Sequence, residues 1–80
     1  MERSNNQLVS AFAKVLKRRR KAKSFSQEEL AFRANISVSY VSLLETSNRQ
    51  PTLSVIAALC EQLDVSMPEF LADVEQEMGR

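Results

Sequence analysis

Residues 26–46 read SQEELAFRANISVSYVSLLET, and the division of this stretch decides the fold. Ser26 and Glu29 form an S-x-x-E capping box. The hydroxyl satisfies the Glu29 amide and the carboxylate reaches back. Leu30, Ala31 and Ala34 then share one helical face. Asn35 ends that helix, because Asn is the non-Gly residue that best tolerates a left-handed backbone. Ser37 caps a second helix whose buried side is Val41 and Leu44. Its other residues, Val38, Ser39, Ser42 and Leu43, point elsewhere. Only Asn35 and Ile36 separate the two helices.

Three more segments flank this pair. Upstream, Leu8, Phe12, Val15, Leu16 and Arg19 follow helical spacing over about residues 6–21. That helix ends in Lys17-Arg18-Arg19-Arg20-Lys21, cations where the helix dipole favours them. Arg19 falls on the apolar stripe, so its stem covers core edge while its head reaches water. Downstream, residues 47–51 read SNRQP and form a loop. Thr52 caps a segment over 53–63 that is apolar almost all round: Leu53, Ile56, Leu59, Cys60 and Leu63, with Val55 on the flank. This pattern predicts the central, most buried helix. Ser66-Met67-Pro68-Glu69 is a second capping box, with Pro68 in the first turn. The last helix runs over about 67–77, and Asp73, Glu75 and Glu77 read as its solvated tail. The expected helices are therefore 6–21, 27–34, 38–46, 53–63 and 67–77, in one all-α domain over 1–80.

Composition narrows the function. A chain of 80 residues holds one domain. It has no His and one Cys, so the commonest metal ligand and general base are both missing. Neither a disulfide framework nor a Cys-rich zinc site fits within one chain. No metal, cofactor or small-molecule ligand is expected, and no enzyme: there is no acid–base pair and no phosphate-binding Gly loop. The longest apolar run, 55–60, is far short of the roughly 20 residues of a membrane span. Residues 1–15 lack the apolar core of a secretory signal. These features predict a reduced, cytoplasmic, soluble domain. Cys60 reads as a small buried hydrophobe. The net charge of +1 hides an asymmetry. Residues 1–33 hold nine basic and three acidic residues, while 34–80 hold two basic and seven acidic. The basic end suits a polyanion, or both ends are simply solvated faces.

Several motifs together carry a resemblance. Gln27-Glu28-Glu29-Leu30-Ala31, Ala34-Asn35-Ile36-Ser37, Tyr40-Val41-Ser42, Leu44-Glu45 and Arg49-Gln50-Pro51-Thr52-Leu53 resemble the phage repressor/Cro family, the XRE-type helix-turn-helix. The resemblance covers about residues 10–73. It implies a five-helix, lambda-repressor-like DNA-binding domain with the helix-turn-helix at helices 2 and 3. Ala31 is small where the two helices cross, and Ile36 plugs the gap beneath the turn. Ser24 and Ser47 stand where the family often has Gly. The resemblance also implies a partly buried ion pair between Arg20 and Glu45. The alternative is that Arg20 is one more cation of a basic run.

The same resemblance implies a double-stranded DNA partner. Gln27 would reach the DNA backbone, and Val38, Ser39, Ser42 and Leu43 would face base edges. Tyr40, Thr46, Ser47, Asn48 and Arg49 would lie at the backbone or groove edge, with Lys23 and Arg18 adding longer-range phosphate attraction. Residues 37–47 contain no basic residue, where the family often has Arg, Gln or Lys at the positions of Val38 and Leu43. The bidentate Arg–guanine contact is therefore missing, and thymine is expected opposite Val38 and Leu43. Family members often dimerise through helices 4 and 5. Val65, Met67, Phe70, Leu71 and Val74 are candidates for a homodimer interface, unless Phe70 and Leu71 close the monomer core. A second reading is an antitoxin-like protein-interaction module on the same fold. Phage-type repressors, restriction–modification controllers and small host regulators all fit the length.

Overall fold

The computed structural model describes residues 5–79. Five helices follow one another: α1 Asn6–Ala22, α2 Gln27–Ala34, α3 Val38–Glu45, α4 Leu53–Leu63 and α5 Met67–Glu77. Each starts at a polar residue whose side chain accepts a backbone N–H of the first turn. Asn5 accepts from Leu8, Ser26 from Glu29, Ser37 from Tyr40, Thr52 from Val55 and Ser66 from Glu69. These bonds satisfy one of the otherwise orphaned donors at each N-terminus. Only half of each capping box forms. The Glu29 carboxylate takes Arg33 Nε at 2.6 Å instead, and the Glu69 carboxylate lies 3.4 Å from Arg19. A nearby cation outcompetes the cap backbone for a carboxylate.

The first four helices stop in the same way. Ser24, Asn35, Ser47 and Asp64 have φ of 60°, 59°, 64° and 58°. After each, the chain folds back: Phe25 N–H donates to Arg20 O, Ile36 to Ala31, Asn48 to Leu43 and Val65 to Cys60. This is the left-handed helix stop usually made with glycine. The serines there cost roughly 1–2 kcal/mol each, and Asn35 and Asp64 less.

The helices close a circuit. α1 packs against α3 and α5, α2 against α3 and α4, and α4 against α5. One large fully buried side chain comes from every helix: Leu16, Leu30, Leu44, Leu59 and Phe70. Phe12 and Phe70 meet with ring centroids 5.5 Å apart at a 57° tilt, a favourable aromatic geometry.

Three expectations change. The buried face of α1 is turned by one residue, with Val9 inward and Leu8 41% exposed. α1 touches both α3 and α5, so its inward face centres on Phe12, Val15 and Leu16 and continues to Arg20. Arg19, at the edge of that face, bonds the carboxylates of Asp73 and Glu69 where water was expected. α4 is not enclosed on all sides: Ile56, Leu59, Cys60 and Leu63 are buried, but Leu53 is 75% exposed. Leu53 occupies the first turn, beyond the ring of neighbours. Burial pushes the Cys60 thiol pKa up, against a smaller opposing effect of Arg19, so the thiol stays protonated.

Candidate nucleic-acid interface

α3 divides into two faces. Val41 and Leu44 are fully buried and fix it to the core. Tyr40 is half-buried and packs against the same core. Val38, Ser39, Ser42, Leu43 and Thr46 follow i, i+1, i+4, i+5, i+8 spacing and share the outward face. Val38 is 42% exposed, Ser39 and Thr46 are exposed, and Ser42 and Leu43 are half-buried. The face carries hydroxyls and aliphatic groups and no charge.

Beneath it lies a buried polar cluster. Arg20 and Glu45 are the only buried charged residues among those described, at 7% and 8% exposure. Arg20 Nε donates to Glu45 Oε2 at 2.6 Å and Nη2 to Oε1 at 3.0 Å. The remaining nitrogen, Nη1, donates to the Phe25 carbonyl at 2.8 Å. One guanidinium thus ties α1 to α3 and to the loop before α2. Gln27 Nε2 donates to Glu45 Oε1 at 3.0 Å. No buried side-chain polar atom among the described residues lacks a partner. Beside this cluster, the Arg33 guanidinium sits 4.5 Å over the Phe25 ring.

The loop after α3 is internally bonded. Thr46 Oγ1 donates to the Ser42 carbonyl at 2.8 Å. Asn48 Nδ2 donates to Thr46 O at 3.2 Å and to Thr46 Oγ1 at 2.9 Å. Phosphate oxygens only accept hydrogen bonds. Here the Thr46 proton and the Asn48 amide nitrogen are already engaged within the loop. Arg49 is exposed and in no ion pair among the described residues, so its donors are free. Ser47 in this loop and Lys23 at the end of α1 are also exposed.

Arg18 lies elsewhere. Its Nη1 is 3.1 Å from Glu77 Oε1 on α5. Arg19 binds Asp73 through Nε at 2.8 Å and Nη2 at 2.6 Å. This hydrogen bond raises the Arg19 pKa further. Asp73 and Glu77 are therefore partners of α1 and not a solvated tail. Beyond Arg20, two more cations of the basic run are neutralised within the molecule. Sequence reasoning could not pair them, because the partners lie 54 and 59 residues apart.

The interface candidates on α5 and in the turn before it also divide. Phe70 and Val74 are 0% and 1% exposed and Val65 is 9%. All three belong to the chain's own core and cannot form a surface, as apolarity alone had suggested. Met67 is half-buried, and Leu71 is 39% exposed. Among the described residues no cluster of acidic or Cys side chains is arranged to hold a metal ion. No described helix is long and apolar enough to cross a membrane.

A short, tightly turned helix pair with one face anchored and the other free is the geometry of a groove-reading motif. A family model described as "Helix-turn-helix" matches residues 16–70. The chain belongs to this helix-turn-helix family. Family members share a DNA-binding fold used in transcription regulation, and theirs is not an enzyme family. The chain is 36% identical over 61 residues to the uncharacterized HTH-type transcriptional regulator YqaF of Bacillus subtilis, covering 76% of this chain and 80% of that one. Among solved structures it is similar to the clp gene regulator ClgR of Corynebacterium glutamicum. There the TM-score is 0.86 at 26% identity, over 90% of this chain and 77% of that one. It is similar to the restriction–modification controller C.Esp1396I, seen as a tetramer on its natural 35-base-pair operator. That match has TM-score 0.83 at 29% identity, over 91% and 96% of the two chains. It also resembles the controller C.AhdI of Aeromonas hydrophila, with TM-score 0.75 at 35% identity, over 78% and 94%.

Proposed function

We propose that this chain is a sequence-specific transcriptional regulator that binds a palindromic operator as a homodimer. The observation that carries the reading is the outward face of α3, held by Val41, Leu44 and the Arg20–Glu45 pair and exposed at Val38, Ser39 and Thr46. Val38, Ser39, Ser42 and Leu43 meet base edges in the major groove. Tyr40, Ser47, Arg49, Lys23 and Gln27 meet the sugar–phosphate backbone. Thr46 and Asn48 shape the groove edge and donate nothing to phosphate until their internal bonds open. Arg18, paired with Glu77, acts only through its long-range field. A helix face of Val, Ser and Leu discriminates by shape and by the thymine methyl group. The operator therefore carries thymine opposite Val38 and Leu43.

Size supports the dimer. The longest dimension of the domain is 29 Å, while recognition helices on a palindrome stand roughly 34 Å apart. One domain cannot reach both half-sites. Leu71 and Met67 on α5 offer the contact surface. A shallow apolar groove of about 180 Å³ between Leu8, Phe12, Pro51, Ile56 and Leu71 extends it. The controller relatives, seen in one case as a tetramer on operator DNA, support the same reading.

Selection of a random duplex library at two salt concentrations tests the function. A palindrome enriched at both salts is expected, with thymine at the central contacts. Sites rich in guanine and lacking thymine there sink the proposed readout. Sequence-free binding that vanishes at the higher salt reports phosphate attraction alone. That outcome favours a protein-interaction module, for which the uncharged, 42% exposed Val38 is the supporting observation. A stable protein partner that co-purifies would then occupy the face. Sedimentation at micromolar concentration tests the dimer, and a monomer refutes it.

A further inference from the structure

The Glu45 carboxylate does more than neutralise Arg20. Its side chain is 1% exposed, and it accepts three hydrogen bonds: two from Arg20 and one from Gln27. The ion pair needs only the first two. The third fixes a side chain that starts α2, is half-buried and reaches across to α3. A carboxylate can only accept, so the Gln27 amide is forced to turn its nitrogen toward Glu45. One amide N–H and the carbonyl oxygen remain unspent. We propose that Glu45 is a positioning residue for DNA, holding Gln27 so that its remaining N–H is aimed at a backbone phosphate. The inference rests on the DNA-binding function proposed above.

The charge arrangement fits this task. A bare carboxylate behind Gln27 would repel a phosphate. The two-pronged Arg20 contact cancels that charge while leaving Glu45 free to accept from Gln27. Gln27 has three side-chain torsions, and ordering them during folding removes that cost from DNA binding. The adjacent Glu28 and Glu29 carry negative charge at the helix start. A neutral donor held in place is therefore the contact this turn can make with phosphate. Arg20 also grips the Phe25 carbonyl at 2.8 Å, so the loop that delivers Gln27 is held by the same cluster.

A double-mutant cycle tests the assignment on the selected duplex, with wild type, Q27A, E45Q and Q27A/E45Q each measured well below its own unfolding temperature. Q27A should weaken binding on the order of tenfold, the scale of a hydrogen bond to a charged group. E45Q should weaken it similarly when Gln27 is present and by less than about twofold in the Q27A background, the signature of residues acting as one unit. Equal loss in both backgrounds makes Glu45 merely structural and overturns the inference while leaving the function standing. A wild-type chain that enriches no duplex overturns both. If E45Q does not fold, side-chain amide NMR of the free wild-type protein decides. The Gln27 amide protons should be ordered and slow to exchange beside those of exposed Gln7 and Gln50. Averaged, fast-exchanging Gln27 protons overturn the inference.

Discussion

Three consecutive arginines at the end of α1 meet different fates, and they separate two seams of the molecule. At the α1–α3 seam, Arg20 is buried and its partner Glu45 is buried with it. At the α1–α5 seam, the rings of Phe12 and Phe70 fill the interior, and the charges stay at the rim. There Arg19 and Asp73 side chains are each 26% exposed, and Arg18 is 56% exposed against Glu77. The first seam is locked by a polar contact that needs one geometry. The second is held by apolar area, with ion pairs laid over it. Rim pairs in water contribute little, whereas a buried charge cannot lose its partner cheaply. The same residue type therefore acts as a structural lock at one position and as a trim at the next.

Breaking the apolar side should cost most. Phe70→Ala leaves a cavity at a fully buried site and should destabilise by roughly 3–5 kcal/mol in urea unfolding. If Phe70 instead served a dimer surface, the loss would depend on protein concentration and be small in a monomer. The polar lock comes next. Glu45→Ala strands the Arg20 guanidinium and should cost roughly 3 kcal/mol. A loss below about 0.5 kcal/mol, the scale of exposed pairs, would erase the distinction between the seams. Asp73→Asn should cost about 1 kcal/mol at most, because the pair is partly exposed though two-pronged. That difference should shrink in 1 M salt, where screening acts within about 3 Å. Glu77→Gln should cost less than about 0.5 kcal/mol. A Glu77 effect as large as that of Glu45 would mean the rim is tighter than its exposure suggests. In thermal melts, these four substitutions should rank in the order given.

Much of this was legible in the chain. The Ser26 and Ser37 caps, the Asn35 stop and the Val41–Leu44 spacing define α2 and α3 through contacts at most five residues apart. Ser24 and Ser47, which stand where the resembled family often has Gly, do adopt the left-handed backbone. The Arg20–Glu45 contact was legible only through family resemblance, because no local rule links residues 25 apart. The apolar pattern misplaced Leu8 and Leu53. Hydrophobicity records that a residue is able to be buried, while burial depends on which neighbours surround that turn. It also offered Phe70 and Val74 for a dimer interface, with closure of the core as the alternative for Phe70, and both are core.

The site shows the same limit. Residue types on the outward face of α3 follow from helical spacing once Val41 and Leu44 are known to be inside. The donors actually free there do not follow. Thr46 and Asn48 look ready for phosphate in sequence, but the Thr46 hydroxyl donates to the Ser42 carbonyl and the Asn48 amide donates to Thr46. Gln27 looks like a free amide and is tethered to Glu45.

The sequence alone determined where helices start, where they stop and which faces are apolar, because capping, left-handed stops and periodicity act over a few residues. Tertiary structure decided which of three adjacent arginines is buried, which carboxylate each one finds, and which polar groups remain to meet DNA. Those outcomes depend on side chains brought together from 18 to 59 residues apart, where the competition among partners is settled by packing and not by spacing.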